Sequence, residues 1–161
     1  RCKGGMEWGP RALGNRSIFA LPNDPSINER LNERLSRSEF MPFAPIIRAR
    51  DAHRYFRGIR KAQHAARFMT VCFEATDGFK ETCPAAVHVD GTARPQLLRK
   101  FDNPEVYDLL TAVGKRCGTP VLINTSFNLH EEPIVCTADD AVRAFRQAKL
   151  EGLLIGDVLG R

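Results

Sequence analysis

Apolar residues along this chain fall into short runs separated by breaks rich in Pro, Gly, Asn and Asp, a pattern that predicts strands alternating with helices. SIFALP (17–22) is a short apolar run ended by Pro22 and reads as a strand. NDPSINERLNERLSR (23–37) reads as a helix: Asp24 can cap it, Pro25 suits its first turn, and Ser26 and Glu29 have capping-box spacing. Its apolar stripe of Ile27, Leu31 and Leu35 is narrow, so most of the helix is expected to face solvent or ligand. MPFAPIIRA (41–49) reads as a proline-fixed loop feeding a strand. RFMTVCFEA (67–75) alternates, with Met69, Val71 and Phe73 on one face, and AAVHVD (85–90) is a further short run; both predict strands. NPEVYDLLTAVGKRCG (103–118) predicts a helix with Asn103 as cap, Pro104 in the first turn and Gly118 past the end. PVLIN (120–124) reads as a strand buried on both faces. TADDAVRAFRQAKL (137–150) reads as a helix capped by Thr137 with two aspartates in its positive first turn, and GLLIG (152–156) as a closing strand.

The irregular alternation fits an α/β (α+β mixed) domain with a mixed sheet, and 161 residues suit one domain. The chain opens at Arg1 without Met and runs at once into motif-dense sequence, which reads as a piece of something longer. Apolar content of 43% and charged content of 27% are ordinary for a globular protein. There is no apolar run of about 18 residues and no apolar leader, so no membrane span or signal peptide is expected. The net charge of +5 is spread along the chain and favours anionic ligands without choosing among them. The five cysteines form no CxxC pair, and the four histidines lack metal-ligand spacing. Free thiols in a reducing cytoplasm are the expectation, and no protein-bound metal.

Polar residues gather at the edges of apolar runs. GMEWGPRALGNRS (5–17) places Arg11 and Arg16 in one Gly/Pro-framed loop, with Glu7 upstream. Guanidinium forks suit phosphate or carboxylate, and glycines let backbone approach a ligand; pairing of the arginines with Glu7 is the bland alternative. HVDGTARPQ (88–96) sets His88, Asp90, Thr92, Arg94 and Gln96 at alternate positions around an Asp-Gly turn, either as a ligand wall or as the solvated face of a hairpin. NTSFN (124–128) offers Asn124, Thr125, Ser126 and Asn128 straight after a buried strand, where short polar side chains either meet ligands or cap backbone. In SEFMPFAP (38–45) Phe40 and Phe43 read as core rather than as a base-stacking platform.

Together, EWGPRALGNRS, MPFAP, HVDGTARPQ, GTPVLINTSFN and EEPIV occur in the order seen in the C-terminal domain of the O-carbamoyltransferases, and from Glu7 to Ile155 the chain resembles that family. The resemblance implies a YrdC-like twisted mixed sheet flanked by helices over a concave, basic cavity. It implies a domain that binds ATP, with Mg²⁺ on its phosphates, and carbamoyl phosphate, and makes carbamoyl-adenylate. A larger N-terminal transferase domain, absent here, would pass the carbamoyl group to an acceptor hydroxyl. Carried over by motif, the pocket is expected to hold Arg11, Asn15, Arg16, Ser17, Arg37, His88, Asp90, Thr92, Arg94, Asn124, Ser126 and Asn128, with His88, Arg94 and Arg16 as the catalytic set. The chain departs where many members carry K-x-R-E-x-F-R-P-F-A-P: the lysine falls on Leu35, the glutamate on Ser38 and the second arginine on Met41, leaving Arg37, with Arg34 or another residue, to supply the contact. EFMPFAP looks like the nodulation branch, which implies a lipo-chitooligosaccharide acceptor. Two other readings are a basic RNA-binding module and a nucleotide-binding regulatory domain without turnover. The first is disfavoured because the arginines sit in Gly/Pro loops with no aromatics interleaved.

Overall fold

A computed structural model describes residues 1–37 and 42–161. In chain order the elements are β1 (Ser17–Ala20), α1 (Ile27–Arg34), β2 (Ala44–Arg48), α2 (Gln63–Ala66), β3 (Phe73–Glu74), α3 (Asp77–Thr82), β4 (Thr92–Ala93), β5 (Gln96–Leu98), α4 (Pro104–Cys117), β6 (Val121–Ser126), α5 (Ala138–Gln147), β7 (Leu153–Ile155) and β8 (Val158–Gly160). The expected mixed sheet is present, in the order β1-β6-β2-β5. β6 runs antiparallel to β1 and β2, and β2 runs parallel to β5. Two-stranded ribbons, β3-β4 and β7-β8, lie beside it.

β6 is internal to the sheet, which is why Val121 to Asn124 are all buried. Successive residues alternate faces. Leu122, Ile46 and Leu98 pack on Val106 and Leu110 of α4. Ile123 joins a cluster with Leu31 and Leu35 beside α1 and Ala141 and Ala144 of α5, while Ile47, Leu97 and Val121 pack on Phe56 and Phe79. Phe43 is buried, as expected for a core residue. Phe40, Ser38 and Met41 lie outside the described residues.

Helices with local caps form where their sequences place them. Asn103 accepts the Val106 N–H, and Gly118 ends α4 with φ +80. Thr137 and Asp140 complete a reciprocal capping box on α5. The entry to α1 differs: the Ser26 hydroxyl donates to Asp24 instead of capping with Glu29. Its polar side is also less open than expected, because Asn28 and Asn32 are buried.

Two predicted strands are corrected. In 67–75 only Phe73–Glu74 is extended. The alternating burial is nevertheless there, with Met69 and Phe73 buried between exposed Phe68, Thr70, Cys72 and Glu74. Met69 has φ +55, a left-handed conformation that a strand cannot contain. In 85–90 there is no strand: Pro84–Ala86 forms a 3-10 turn and the chain then enters the Asp90-Gly91 turn.

Candidate anion-binding site

The site begins with how the opening loop is held. One carboxylate oxygen of Glu7 accepts the backbone N–H groups of Leu13 (2.8 Å) and Asn15 (2.6 Å). Glu7 thus closes the loop on itself and is not the counter-charge for Arg11 or Arg16. Asn15 donates to the Gly5 carbonyl and accepts from Asn103 Nδ2 at 3.0 Å, fastening the loop to the capping residue of α4. Gly14 permits this approach: its φ is +132, and a Cβ there would lie 3.0 Å from Asn103 Nδ2 and 3.3 Å from Val106 Cγ2.

Arg16 follows this fastened stem and is only 7% exposed. Its Nε and Nη2 donate to the Cys136 carbonyl at 3.3 and 3.1 Å, and its Nη1 donates to the carbonyls of Lys3 and Asn15. The fork expected to grip phosphate is spent on backbone. Ser17 is fully buried at the start of β1.

Arg11, at the loop's exposed tip, points to different chemistry. It lines a cavity of about 300 Å³ with Arg37, Arg94, Asn124, Thr125, Ser126 and Asn128. Among the described residues the arginine–carboxylate pairs belong to other arginines, such as Arg48–Asp51 and Arg143–Glu132. Arg37 leans on neutral groups: it donates to Thr125 Oγ1 at 3.1 Å and lies 5.6 Å from the Phe43 ring centre. Arg94 Nε is buried without a hydrogen-bond partner among the described residues. Burial pulls the pKa of both guanidiniums down from the ordinary value, and Arg11 adds repulsion at Arg94. An anion in the cavity would relieve this uncompensated charge. Arg34 is unavailable here because it pairs with Glu151 beside a separate cavity of about 250 Å³.

Asn124 completes the wall. It is 1% exposed, and its Nδ2 donates to the Ala12 carbonyl at 3.0 Å and to Gln96 Oε1 at 2.6 Å. Gln96 Nε2 in turn donates to the Leu13 carbonyl. Carbonyls only accept, so this chain fixes which way both amides face. Asn124 Oδ1 is left as a buried acceptor without a hydrogen-bond partner among the described residues. Ser126 donates to Asn128 Oδ1, and Asn128 Nδ2 ties down the carbonyls of Leu129 and Glu132.

Of the residues expected in the pocket, Arg11, Arg37, Arg94, Asn124, Ser126 and Asn128 line one cavity, while Asn15, Arg16 and Ser17 form the stem behind it. His88, Asp90 and Thr92 do not line it. They satisfy one another in a tight turn: Asp90 Oδ1 accepts both the N–H and the hydroxyl of Thr92, whose Oγ1 lies 3.0 Å from His88 Nδ1. Burial lowers the pKa of His88, Asp90 opposes that shift and Arg94 adds to it. The Thr92 bonds lower the pKa of Asp90. The cavity is also lined by Thr125, Met69, His130 and Glu131, which the expected set omits; Glu131 makes no ion pair with the three arginines among the described residues. Thr125 is signalled by its place inside NTSFN, whereas Met69 carries no polar signal.

The Carbamoyltransferase C-terminus family matches residues 1–161. The chain belongs to that family. As a carbamoyltransferase C-terminus it is 43% identical over 157 residues to an uncharacterized protein of Methanocaldococcus jannaschii, covering 98% of this chain and 30% of that one. It is 38% identical over 160 residues to the nodulation protein NolO of Bradyrhizobium diazoefficiens, covering 99% and 29%. It is 34% identical over 155 residues to the 3'-hydroxymethylcephem-O-carbamoyltransferase of Amycolatopsis lactamdurans, covering 96% and 29%. The chain thus spans a little under a third of the length of these relatives. The resemblance carried by the motifs is borne out.

Proposed function

We propose that this carbamoyltransferase C-terminus binds ATP and carbamoyl phosphate in the Arg11–Arg37–Arg94 cavity and forms carbamoyl-adenylate, which a further domain of a longer enzyme passes to an acceptor hydroxyl. The observation that carries this reading is three guanidiniums that line one cavity and make no ion pair with a carboxylate among the described residues, beside a buried Asn124 acceptor that has no partner among them. Water first takes the phosphoryl group from carbamoyl phosphate, leaving carbamate and inorganic phosphate. A carbamate oxygen then attacks the α-phosphorus of ATP, the bond to the bridging oxygen breaks, and pyrophosphate leaves with its charge. The protein's share is to hold mutually repelling anions in line and to neutralise the charge that builds on the leaving group.

Each cavity residue has a part. Arg11 and Arg94 face the phosphates, and Arg37, steadied by Thr125, takes the place of the family's lysine and second arginine. Asn124 Oδ1 accepts an N–H of the carbamoyl amide, the donor that distinguishes carbamoyl from acetyl. Of the three residues expected to be catalytic, Arg94 alone lines the cavity; Arg16 holds the loop stem, and His88 stands in the turn before Arg94. Mg²⁺ enters as the counter-ion of ATP; among the described residues no three His, Cys, Asp or Glu side chains converge. Identities of 38% to a nodulation protein and 34% to a cephem enzyme are too even to choose the acceptor, so we assign that choice to parts beyond this chain. Among the described residues no helix is long and apolar enough to cross a membrane, and the five thiols are free, which accords with a reducing cytoplasm.

The test is release of phosphate and pyrophosphate from the purified protein mixed with Mg·ATP and carbamoyl phosphate. The reading predicts one of each per carbamoyl-adenylate, at least a tenfold drop in Arg94→Ala, and no pyrophosphate with acetyl phosphate. Tight Mg·ATP binding that never yields pyrophosphate would instead identify a nucleotide-binding regulatory domain. RNA binding with a steep salt dependence and no ATP binding would identify a nucleic-acid module.

A further inference from the structure

Gln96 is 2% exposed on β5 and does not line the anion cavity, yet it reaches Asn124 on β6 across the intervening strand β2. The ladders pair Gln96 with Ile46 and Asn124 with Ala44, so all four side chains share one face of the sheet. Ala44 contributes only a methyl, which leaves the Gln96 side chain room to cross β2. Its carboxamide is used at both ends: Oε1 accepts from Asn124 Nδ2 at 2.6 Å, and Nε2 donates to the Leu13 carbonyl at 2.8 Å. The Ala12 carbonyl takes the other Nδ2 proton of Asn124 at 3.0 Å, so both donors of Asn124 are spent away from the cavity.

An asparagine amide can offer a ligand either its donors or its acceptor. Gln96 removes that choice twice, by accepting from Asn124 directly and by anchoring Leu13, the loop residue next to Ala12. We infer that Gln96 is the positioning residue that makes the Asn124 wall an acceptor only and so sets a preference for carbamoyl over acyl phosphates, a role that rests on the carbamoyl phosphate reading of the cavity. Carbamoyl phosphate and acetyl phosphate share one shape and differ in an amino group against a methyl. An acceptor-only wall gains a bond with the first and stays buried and unpaired against the second, which rejects it. Without Gln96, Asn124 keeps the Ala12 bond alone, on a loop that has lost its anchor at Leu13. The amide then has no fixed face, and a turned amide sets its own N–H against that of the carbamoyl group. The grip on phosphate is separate, because the hydrogen bonds of Gln96 go to Asn124 and Leu13 and not to Arg11, Arg37 or Arg94 among the described residues.

The experiment is calorimetric titration with carbamoyl phosphate, acetyl phosphate and inorganic phosphate of the parent, Gln96→Met, Asn124→Ala and the double variant. The parent should prefer carbamoyl over acetyl phosphate at least tenfold. Gln96→Met keeps the bulk of the side chain without its amide. It should bring the two within about threefold by weakening carbamoyl phosphate, with acetyl and inorganic phosphate held within about twofold of the parent. A merely structural lesion would weaken all three. The double variant should discriminate no worse than Asn124→Ala alone, because Gln96 acts through Asn124. One readout needs no variant to fold: by NMR, the side-chain NH₂ of Asn124 in the parent should exchange slowly with solvent, since both its protons are bonded. A Gln96→Met protein that binds phosphate and keeps the parent's preference overturns this role for Gln96 and leaves the cavity reading standing, as does rapid exchange of that NH₂. A folded parent that binds neither acyl phosphate, or binds both alike, brings down the carbamoyl phosphate reading and the role of Gln96 with it.

Discussion

The tip and the stem of the opening loop carry the same side chain to opposite ends. Arg11, at the tip, is exposed and lines a cavity with two further guanidiniums that have no carboxylate partner among the described residues. Arg16, in the stem, is buried and gives its donors to the carbonyls of Cys136, Lys3 and Asn15. The difference is made by Glu7 and Gly14. Glu7 gathers the Leu13 and Asn15 N–H groups, and Gly14 lets the backbone sit against α4, so the chain from Leu13 onward is locked while Arg11, on the turn between Glu7 and Leu13, stays open. An arginine's neighbours in sequence do not decide whether it binds a ligand; what its donors already touch does.

The largest expected effect is structural. Arg16→Ala strips donors from three carbonyls and should lower stability by about 3 kcal/mol. For a chain of this size that is a fall of about 10 °C in thermal midpoint, read by circular dichroism. An unmoved midpoint together with lost nucleotide binding would break the contrast between tip and stem. Next, Arg11→Ala and Arg94→Ala should each weaken Mg·ATP by tenfold or more, since a charge-assisted bond contributes about 1.5–3 kcal/mol. Their midpoints should stay within about 2 °C of the parent, because neither side chain makes an ion pair among the described residues. Gly14→Ala sharpens the role of the stem: the strained φ and the contact with Asn103 should cost about 1–2 kcal/mol, visible in urea melts, with a smaller loss of ATP affinity. The smallest effect belongs to His88. Its pKa in the folded chain lies below the ordinary 6.5, so the folded form disfavours the proton. Stability is then full above about pH 6.5 and declines as pH falls through the folded value. His88→Gln should flatten that decline, seen in melts at pH 5 against pH 8, and leave ATP affinity within about threefold of the parent.

What was legible in the sequence was local. Asn103 and Gly118 bound α4, and Thr137 with Asp140 starts α5, because caps use residues three or four apart. Burial alternates over 67–75 as the pattern predicts, yet the left-handed Met69 keeps the backbone from pairing there. Pro84 and the Asp90-Gly91 turn displaced the strand expected over 85–90, and with it the shared face that would have aligned His88, Asp90 and Thr92 with Arg94. The NTSFN cluster was readable because it ends a central strand, where side chains leave the core and reach a cavity. The choice between Arg11 and Arg16 was not, since it depends on the Cys136 carbonyl, 120 residues away along the chain. Aromatics beside the arginines were hidden likewise: Trp8 and Phe68 come together with Arg11 and Arg94 only in the fold.

The proposed function turns on Arg11, Arg37 and Arg94 holding the phosphates. Its most direct test is calorimetric titration of Mg·ATP onto the triple variant Arg11→Ala/Arg37→Ala/Arg94→Ala, with circular dichroism to confirm that the variant is folded. No measurable binding is expected where the parent binds. A folded triple variant that takes up Mg·ATP with the parent's affinity would contradict it and move the nucleotide elsewhere on the chain.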